Sequence, residues 1–184
     1  MTSKEGLRLV PLEKEHALAV KKFCDQWIGT NYYSVSEVEE LIEASGGASF
    51  GAWDSSLVAI RLTLAPGKWN NIITRGLTPA AWPCEQKDMA YFKSLFVAED
   101  HQAQGLGKQL STLSLKALKD MGAKAVLCHS WLESPGNSSQ KYLKKMGFEE
   151  KARHEKFWFP IDYECTRCTP ERCVCTAAEM VLEL

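Results

Sequence analysis

Two short stretches of this 184-residue sequence carry residue types whose spacing bears on chemistry. The first is Gln102-Ala103-Gln104-Gly105-Leu106-Gly107, set between an apolar run and a periodic one. Glycines at 105 and 107 remove two Cβ atoms, so main-chain N–H groups can turn toward an anion at a helix start. Unpaired donors and the helix dipole already favour negative charge there. A Walker A loop needs Gly at 102 and Ser or Thr at 109, and both positions are Gln. A dinucleotide fingerprint needs a small residue where Leu110 stands. The stretch reads as a pyrophosphate seat, although a tight turn without a ligand accounts equally well for the glycine pair alone.

The second stretch is Cys165-x-x-Cys168-x4-Cys173-x-Cys175, which gathers four of the seven cysteines around Pro170. The odd total argues against a complete disulfide framework. Cys24, Cys84 and Cys128 stand singly among apolar residues and read as small buried hydrophobes. In the cluster, a Cys-x-x-Cys turn offers two sulfurs to one ion, and residues 173 and 175 face one side of an extended segment. Four thiolates arranged tetrahedrally suit Zn²⁺, and a closed site of that kind is structural. Disulfide or redox chemistry and unligated thiols are the competing readings.

The surrounding pattern supplies the elements that must position these groups. Leu7 to Val10 reads as a strand, Glu15 to Trp27 as a helix, and Ser36 with Glu39 as the capping box of a second helix ending at Gly46-Gly47. Residues 48–53 and 57–65 form a hairpin, and 66–88 form a long irregular loop whose Trp69 and Trp82 line a pocket or pin the loop. Residues 90–97 are an apolar run of strand length, expected to be buried on both faces. A helix follows from Leu106 to a C-terminal Gly122, then a strand over 123–131, a helix over 138–146 ended by Gly147-Phe148, and a closing pair of strands. The tip of that pair, between 156–163 and 177–184, carries the cysteines. Alternating strand and helix in this half implies parallel pairing by right-handed crossover.

Charged residues make up 24% of the chain and cancel to a net charge of -1, so no global field favours nucleic acid or an anionic membrane. No apolar run approaches the roughly 20 residues of a bilayer span, and Met1 to Glu5 lack a secretory stretch. A cytoplasmic protein with no nucleic-acid or membrane partner is expected.

Phe96-Val97, a short linker, and Gln-x-x-Gly-x-Gly opening a helix resemble the acyl-CoA motif of the GNAT superfamily of N-acetyltransferases. Tyr142-Leu143-Lys144-Lys145-Met146-Gly147-Phe148 resembles that family's later helix with its Gly-Phe ending. The resemblance implies an α/β domain over 1–184; the cysteine-rich hairpin at 156–184 is no part of the family's motif and is read from the residues alone. The domain's sheet would be mixed and mostly antiparallel, with parallel fourth and fifth strands splayed apart and helices on both faces. Acetyl-CoA would be the co-substrate. Phe96 and Val97 would offer backbone groups to the pantetheine arm, and Gln102, Gln104, Gly105, Leu106, Gly107 and Lys108 would hold the pyrophosphate. Asn137 stands one place from the Asn that often opens the later helix.

The implied reaction is direct attack by a primary amine, on a small molecule or a peptide, which needs a base, donors for the oxyanion and a departing thiolate. Asp88, Glu133 and His129 are the base candidates by position. The family's leaving-thiol Tyr falls at Leu143, so Tyr142 is turned by about 100° around the helix. A weakly catalytic acyl-CoA sensor or interaction module with a zinc-stabilised hairpin is the alternative. A homodimer is compatible with either reading.

Overall fold

The computed structural model describes residues 6–184. Met1 to Glu5, on which the expectation about a secretory stretch rests, lie outside the described residues.

Strand β1 (Arg8–Pro11) is followed by a single tight turn and helix α1 (Ala17–Trp27), which buries Ala17, Val20, Phe23 and Cys24. A two-residue strand, β2 (Gly29–Thr30), leads to helix α2 (Val35–Ala44). The capping box of α2 is Ser34 with Glu37, two residues before the expected pair: Glu37 N donates to Ser34 Oγ, and Ser34 N donates to the Glu37 carboxylate. Both serines fit the sequence pattern. The earlier one is used because a helix starting at Val35 turns Val38, Leu41 and Ile42 inward. Strands β3 (Phe50–Asp54) and β4 (Ser56–Leu64) form the expected hairpin, and residues 66–88 carry only single turns.

Strand β5 (Met89–Val97), helix α3 (Leu106–Asp120), strand β6 (Ala125–Trp131) and helix α4 (Ser138–Lys145) follow in the expected order. The closing strands are β7 (Glu149–His154) and β9 (Ala177–Glu183), with the short β8 (Glu164–Cys165) between them. Residues 156–163 are therefore turns rather than the expected strand. Their aromatic content suggests a strand, but Phe157 stacks on His129 at 4.4 Å instead of joining a ladder.

The main sheet runs β1-β3-β4-β5-β6-β9-β7, and only β5–β6, its fourth and fifth strands, pair in parallel. Met89 and Tyr91 join the core formed with α1 and α2, while Ala90 and Phe92 join the one formed with α3 and α4. Alternation along the central strand thus assigns a helix pair to each face. A two-stranded ladder, β2 with β8, stands apart from the main sheet.

The β5–β6 pairing stops at Phe92 and Cys128, whereas β5 continues to Val97 against β4 alone. A bulge falls at Lys93, because Leu62 pairs with Ser94 and Thr63 with Phe92. An extra residue bends the strand and increases its twist. The two parallel strands therefore part beyond Phe92. Burial follows: Met89 to Phe92 are buried, as a strand covered on both faces should be, while Lys93 to Val97 are only half-buried.

Candidate functional site

The glycine turn lies at the open end of this splay. Ala103 and Gly105 both have positive φ (60° and 76°), which coils the backbone immediately before α3. A Cβ on Gly105 would meet nothing within 4 Å, so the space above the turn is open. At Gly107 a Cβ would lie 3.3 Å from Leu95, where the helix start closes on β5. No side chain caps α3, and among the described residues no protein group accepts from the N–H groups of residues 103–108. Free donors, coiled backbone and the helix dipole together suit an anion such as a diphosphate.

Side chains of the turn brace it. Gln102 Nε2 donates to the Val97 carbonyl (2.9 Å) and Gln104 Nε2 to the Asp100 carbonyl (3.3 Å), while Lys108 is exposed on the first turn of α3. Of Phe96 and Val97, the pair expected to offer backbone groups to a ligand, only Val97 turns away from β4. Ala98 N donates to Val58 O, so by antiparallel alternation Phe96 directs its backbone to Ile60 on β4. The backbone groups facing the splay are those of Leu95 and Val97, with the Val97 carbonyl already held by Gln102.

The base candidates separate clearly. Asp88 precedes the start of β5 and pairs with Lys124 at 2.7 Å; the hydrogen bond from Lys124 holds its carboxyl below the ordinary range. At about 3.3 Å per residue it stands about 13 Å from Phe92, at the closed end of the strand pair. Glu133 accepts the Thr176 N–H with both oxygens (3.0 and 2.9 Å), fastening the end of β6 to the start of β9. Both carboxylates are thus engaged by donors within the fold. Tyr142 donates to the Gly107 carbonyl (3.0 Å) and lies 2.8 Å from Ser111 Oγ, which also accepts from the buried Arg61 guanidinium (3.1 and 2.9 Å). Its hydroxyl holds α4 against α3. Asn137 has φ 52° at the start of α4 and donates to Gln140 (3.0 Å), leaving its buried Oδ1 without a partner.

His129 is different. It follows Cys128, the last residue of β6 paired with β5, with Nδ1 2.7 Å from the Tyr91 hydroxyl and Nε2 2.6 Å from the Gly76 carbonyl. The carbonyl can only accept, so Nε2 carries the proton and Tyr91 donates to Nδ1. Burial pushes the imidazole down to about 4, which keeps it neutral near pH 7. Near the Lys93 bulge, Tyr33 shares a hydrogen bond with Ser94 (3.1 Å), and the Lys93 ammonium reaches the Tyr32 hydroxyl (3.4 Å). Tyr32, Tyr33, Tyr91 and Ser94 escaped sequence reasoning. Tyr91 faces His129 across the last paired residues of the two parallel strands, and no local sequence signal marks it.

Glu179 explains how the 66–88 loop is held. Its fully buried carboxylate accepts from Thr78 N (3.0 Å), Thr78 Oγ1 (2.7 Å), Trp82 Nε1 (2.7 Å) and His154 Nε2 (2.9 Å). Burial opposes ionisation, but these donors outweigh it and hold the carboxyl below its ordinary range. Trp69 is also buried and donates to Met89 O (2.6 Å), so both tryptophans pin the loop. The ligand atoms of Glu179, His129 and His154 lie within 4.8 Å of one another, yet hydrogen bonds already engage all three side chains, which disfavours a metal there.

The four clustered cysteines do converge. Their sulfurs lie within 4.8 Å of one another, and Cys165, Cys173 and Cys175 are buried.

An acetyltransferase (GNAT) domain model matches residues 71–150. No curated protein matches the chain by sequence. Among solved structures, a chain of the NatC complex bound to Gag peptide and CoA is similar at 13% identity and TM-score 0.70, over 97% of this chain and 98% of that one. A GNAT-family acetyltransferase from Streptococcus pneumoniae matches at 11% identity and TM-score 0.66, covering 97% and 100%. A polyamine N-acetyltransferase from Drosophila melanogaster gives 12%, 0.66, and the same coverage. Together with the splayed parallel pair and the open glycine turn, these likenesses establish that the chain has the GNAT-superfamily acetyltransferase fold, to which a C-terminal cluster of four cysteines is added.

Proposed function

We propose that the protein transfers an acetyl group from acetyl-CoA to a primary amine by direct attack. One observation carries this reading: the splay of β5 from β6 opens beside a glycine turn whose N–H groups, from residue 103 to 108, have no acceptor among the described residues. The diphosphate would accept from those donors, and the pantetheine arm would run along the Leu95 and Val97 backbone toward the splay. Placement in that cleft supplies much of the rate by holding amine and thioester in attack geometry.

Asp88 and Glu133 are engaged elsewhere, so the acceptor would lose its proton near the Tyr91–His129 pair. Tyr91 donates to His129 Nδ1, which leaves phenolic lone pairs to accept from and orient the incoming ammonium, while the proton itself would pass to water, because the imidazole is held neutral and its Nε2 donates to the Gly76 carbonyl. The thiolate would leave with a proton from water, because the Tyr142 hydroxyl is committed to Gly107. That commitment also favours a second reading, acyl-CoA binding with little turnover. Peptide and polyamine appear in the names of two similar structures, and both amine classes are acceptor candidates here.

Calorimetry with acetyl-CoA tests the seat. Gly105→Glu puts a carboxylate into the open space above the turn and should abolish binding seen with the wild type. Undiminished affinity would refute the assignment. Release of free CoA thiol across a panel of peptide N-termini, polyamines, amino acids and lysine analogues separates the two readings: turnover above the no-acceptor rate supports transfer, and binding without turnover supports the sensor.

A further inference from the structure

The fold places the four-cysteine cluster outside the acyl-CoA seat, and the proposed reaction leaves it without a role. Tetrahedral Zn²⁺ with Zn–S bonds of about 2.3 Å spaces its sulfurs about 3.8 Å apart. Here Cys168 and Cys175 are 3.6 Å apart, and all four sulfurs lie within 4.8 Å of one another. The Cys168 N–H donates to the Cys165 carbonyl (3.2 Å), which coils the chain between the two sulfurs, and the Arg167 guanidinium lies 3.9 Å from the Cys175 sulfur. A neighbouring cation suits a site whose four thiolates outweigh the charge of one divalent ion. Trp131, Trp158 and Tyr163 pack around the cluster, so an all-sulfur site would have no open position for chemistry.

We infer that Cys165, Cys168, Cys173 and Cys175 bind one structural zinc ion, and that this ion holds the tyrosine wall of the splay in place. The second half follows the contacts outward. Cys165 belongs to β8, which pairs with β2 through Gly29, where a Cβ would collide with the Glu164 carbonyl oxygen. Beside it the Tyr163 ring meets Tyr32 edge-on at 4.8 Å, and Tyr32 meets Tyr33 at 4.6 Å. Tyr33 and Tyr32 reach Ser94 and Lys93 at the bulge where β5 leaves β6. The metal site therefore braces the side of the cleft away from the glycine turn. Metal binding stands independently of acetyl transfer; only the consequence for an acceptor rests on the proposed function.

Elemental analysis of wild-type protein purified without added metal should give about one zinc per chain, and X-ray absorption should show four sulfurs at about 2.3 Å. Cys168→Ser/Cys173→Ser should lose the metal, while Cys84→Ser, outside the cluster, should keep it. Metal-free wild-type protein with four reactive thiols in this segment, or with disulfides there, would overturn the assignment, as would an iron–sulfur absorption band. Stripping zinc from the wild type with an organomercurial, followed by hydrogen exchange, tests the wall. Protection should fall at least tenfold over 29–33 and 160–176 while residues 95–110 stay within about twofold, since local openings follow local contacts. Equal loss in both regions, or in neither, would refute the bracing role. With an acceptor in hand, KM for the amine should rise while acetyl-CoA affinity stays unchanged.

Discussion

The imidazole of His129 makes the sharpest quantitative prediction. Folding lowers it from an ordinary 6.5 to about 4, because burial disfavours the cation. The unfolded chain therefore binds more protons than the folded one between those values, so stability is fully present above pH 6.5 and is lost as pH falls toward 4. Each pKa unit corresponds to about 1.4 kcal/mol, which gives a loss of about 2 kcal/mol by pH 5 and about 3 kcal/mol at the bottom of the window. Other titrating groups act differently. Glu179, with its lowered carboxyl, loses stability only below the ordinary carboxylate range. His101, raised by its hydrogen bond to Asp100, works in the opposite sense but is too exposed to contribute much. The comparison is wild type against His129→Gln, which keeps a donor for Gly76 O and cannot titrate. Urea unfolding at intervals from pH 7.5 to 4.5 should give a steep decline for the wild type and a shallower one for the variant, the gap closing by about 2 kcal/mol at pH 5. Parallel profiles would refute the account and mean that water reaches this imidazole.

Three further outcomes follow from other contacts. Glu179→Ala leaves the Thr78, Trp82 and His154 donors without their acceptor and should cost roughly 3 kcal/mol, with limited proteolysis cutting first within residues 66–88. Gly76→Ala adds a Cβ 2.5 Å from the Phe157 ring at a positive φ, so the same loop should loosen and the His129 imidazole should titrate nearer 6.5 by NMR. Tyr142→Phe should lower stability by about 1 kcal/mol while kcat changes less than threefold; a hundredfold loss of kcat with stability intact would restore that phenol as the leaving-thiol acid.

Much of the molecule was legible because its signals are local. The glycine turn, the amphipathic face of α3, the Gly147 stop and the cysteine spacing each fit within a few residues, and backbone conformation or ligand geometry constrains them directly. Asp88 was misjudged for a nonlocal reason. Adjacency to a strand says nothing about which end of the strand opens, and the opening depends on where β6 stops pairing, nearly forty residues later. Glu179 was invisible because it sits in the apolar run Ala177–Glu183 and its donors lie 25, 97 and 101 positions earlier. Its one trace is a charge at a position that should be buried, and such a residue needs partners wherever they come from. Residues 156–163 misled because aromatics favour strands only when a partner strand is present, and here β9 pairs with β7 instead.

Under the proposed transfer, the division between the shared fold and this chain's own additions bears on acceptor choice. Similar structures whose names carry a peptide and a polyamine share this fold at comparable TM-scores, so the sheet and glycine turn alone do not choose the amine. Selection must come from what covers the splay. In this chain two separately anchored pieces approach it: the 66–88 loop, pinned by Glu179 and touching His129 through Gly76, and the tyrosine wall held through β2 and β8. One is fixed by a buried carboxylate and the other, by inference, by a metal. A carboxylate clamp releases on protonation, and a thiolate clamp releases on metal loss. Acid and chelation should therefore loosen opposite sides of one cleft, and acceptor variants that contact one side should respond to only one of the two treatments.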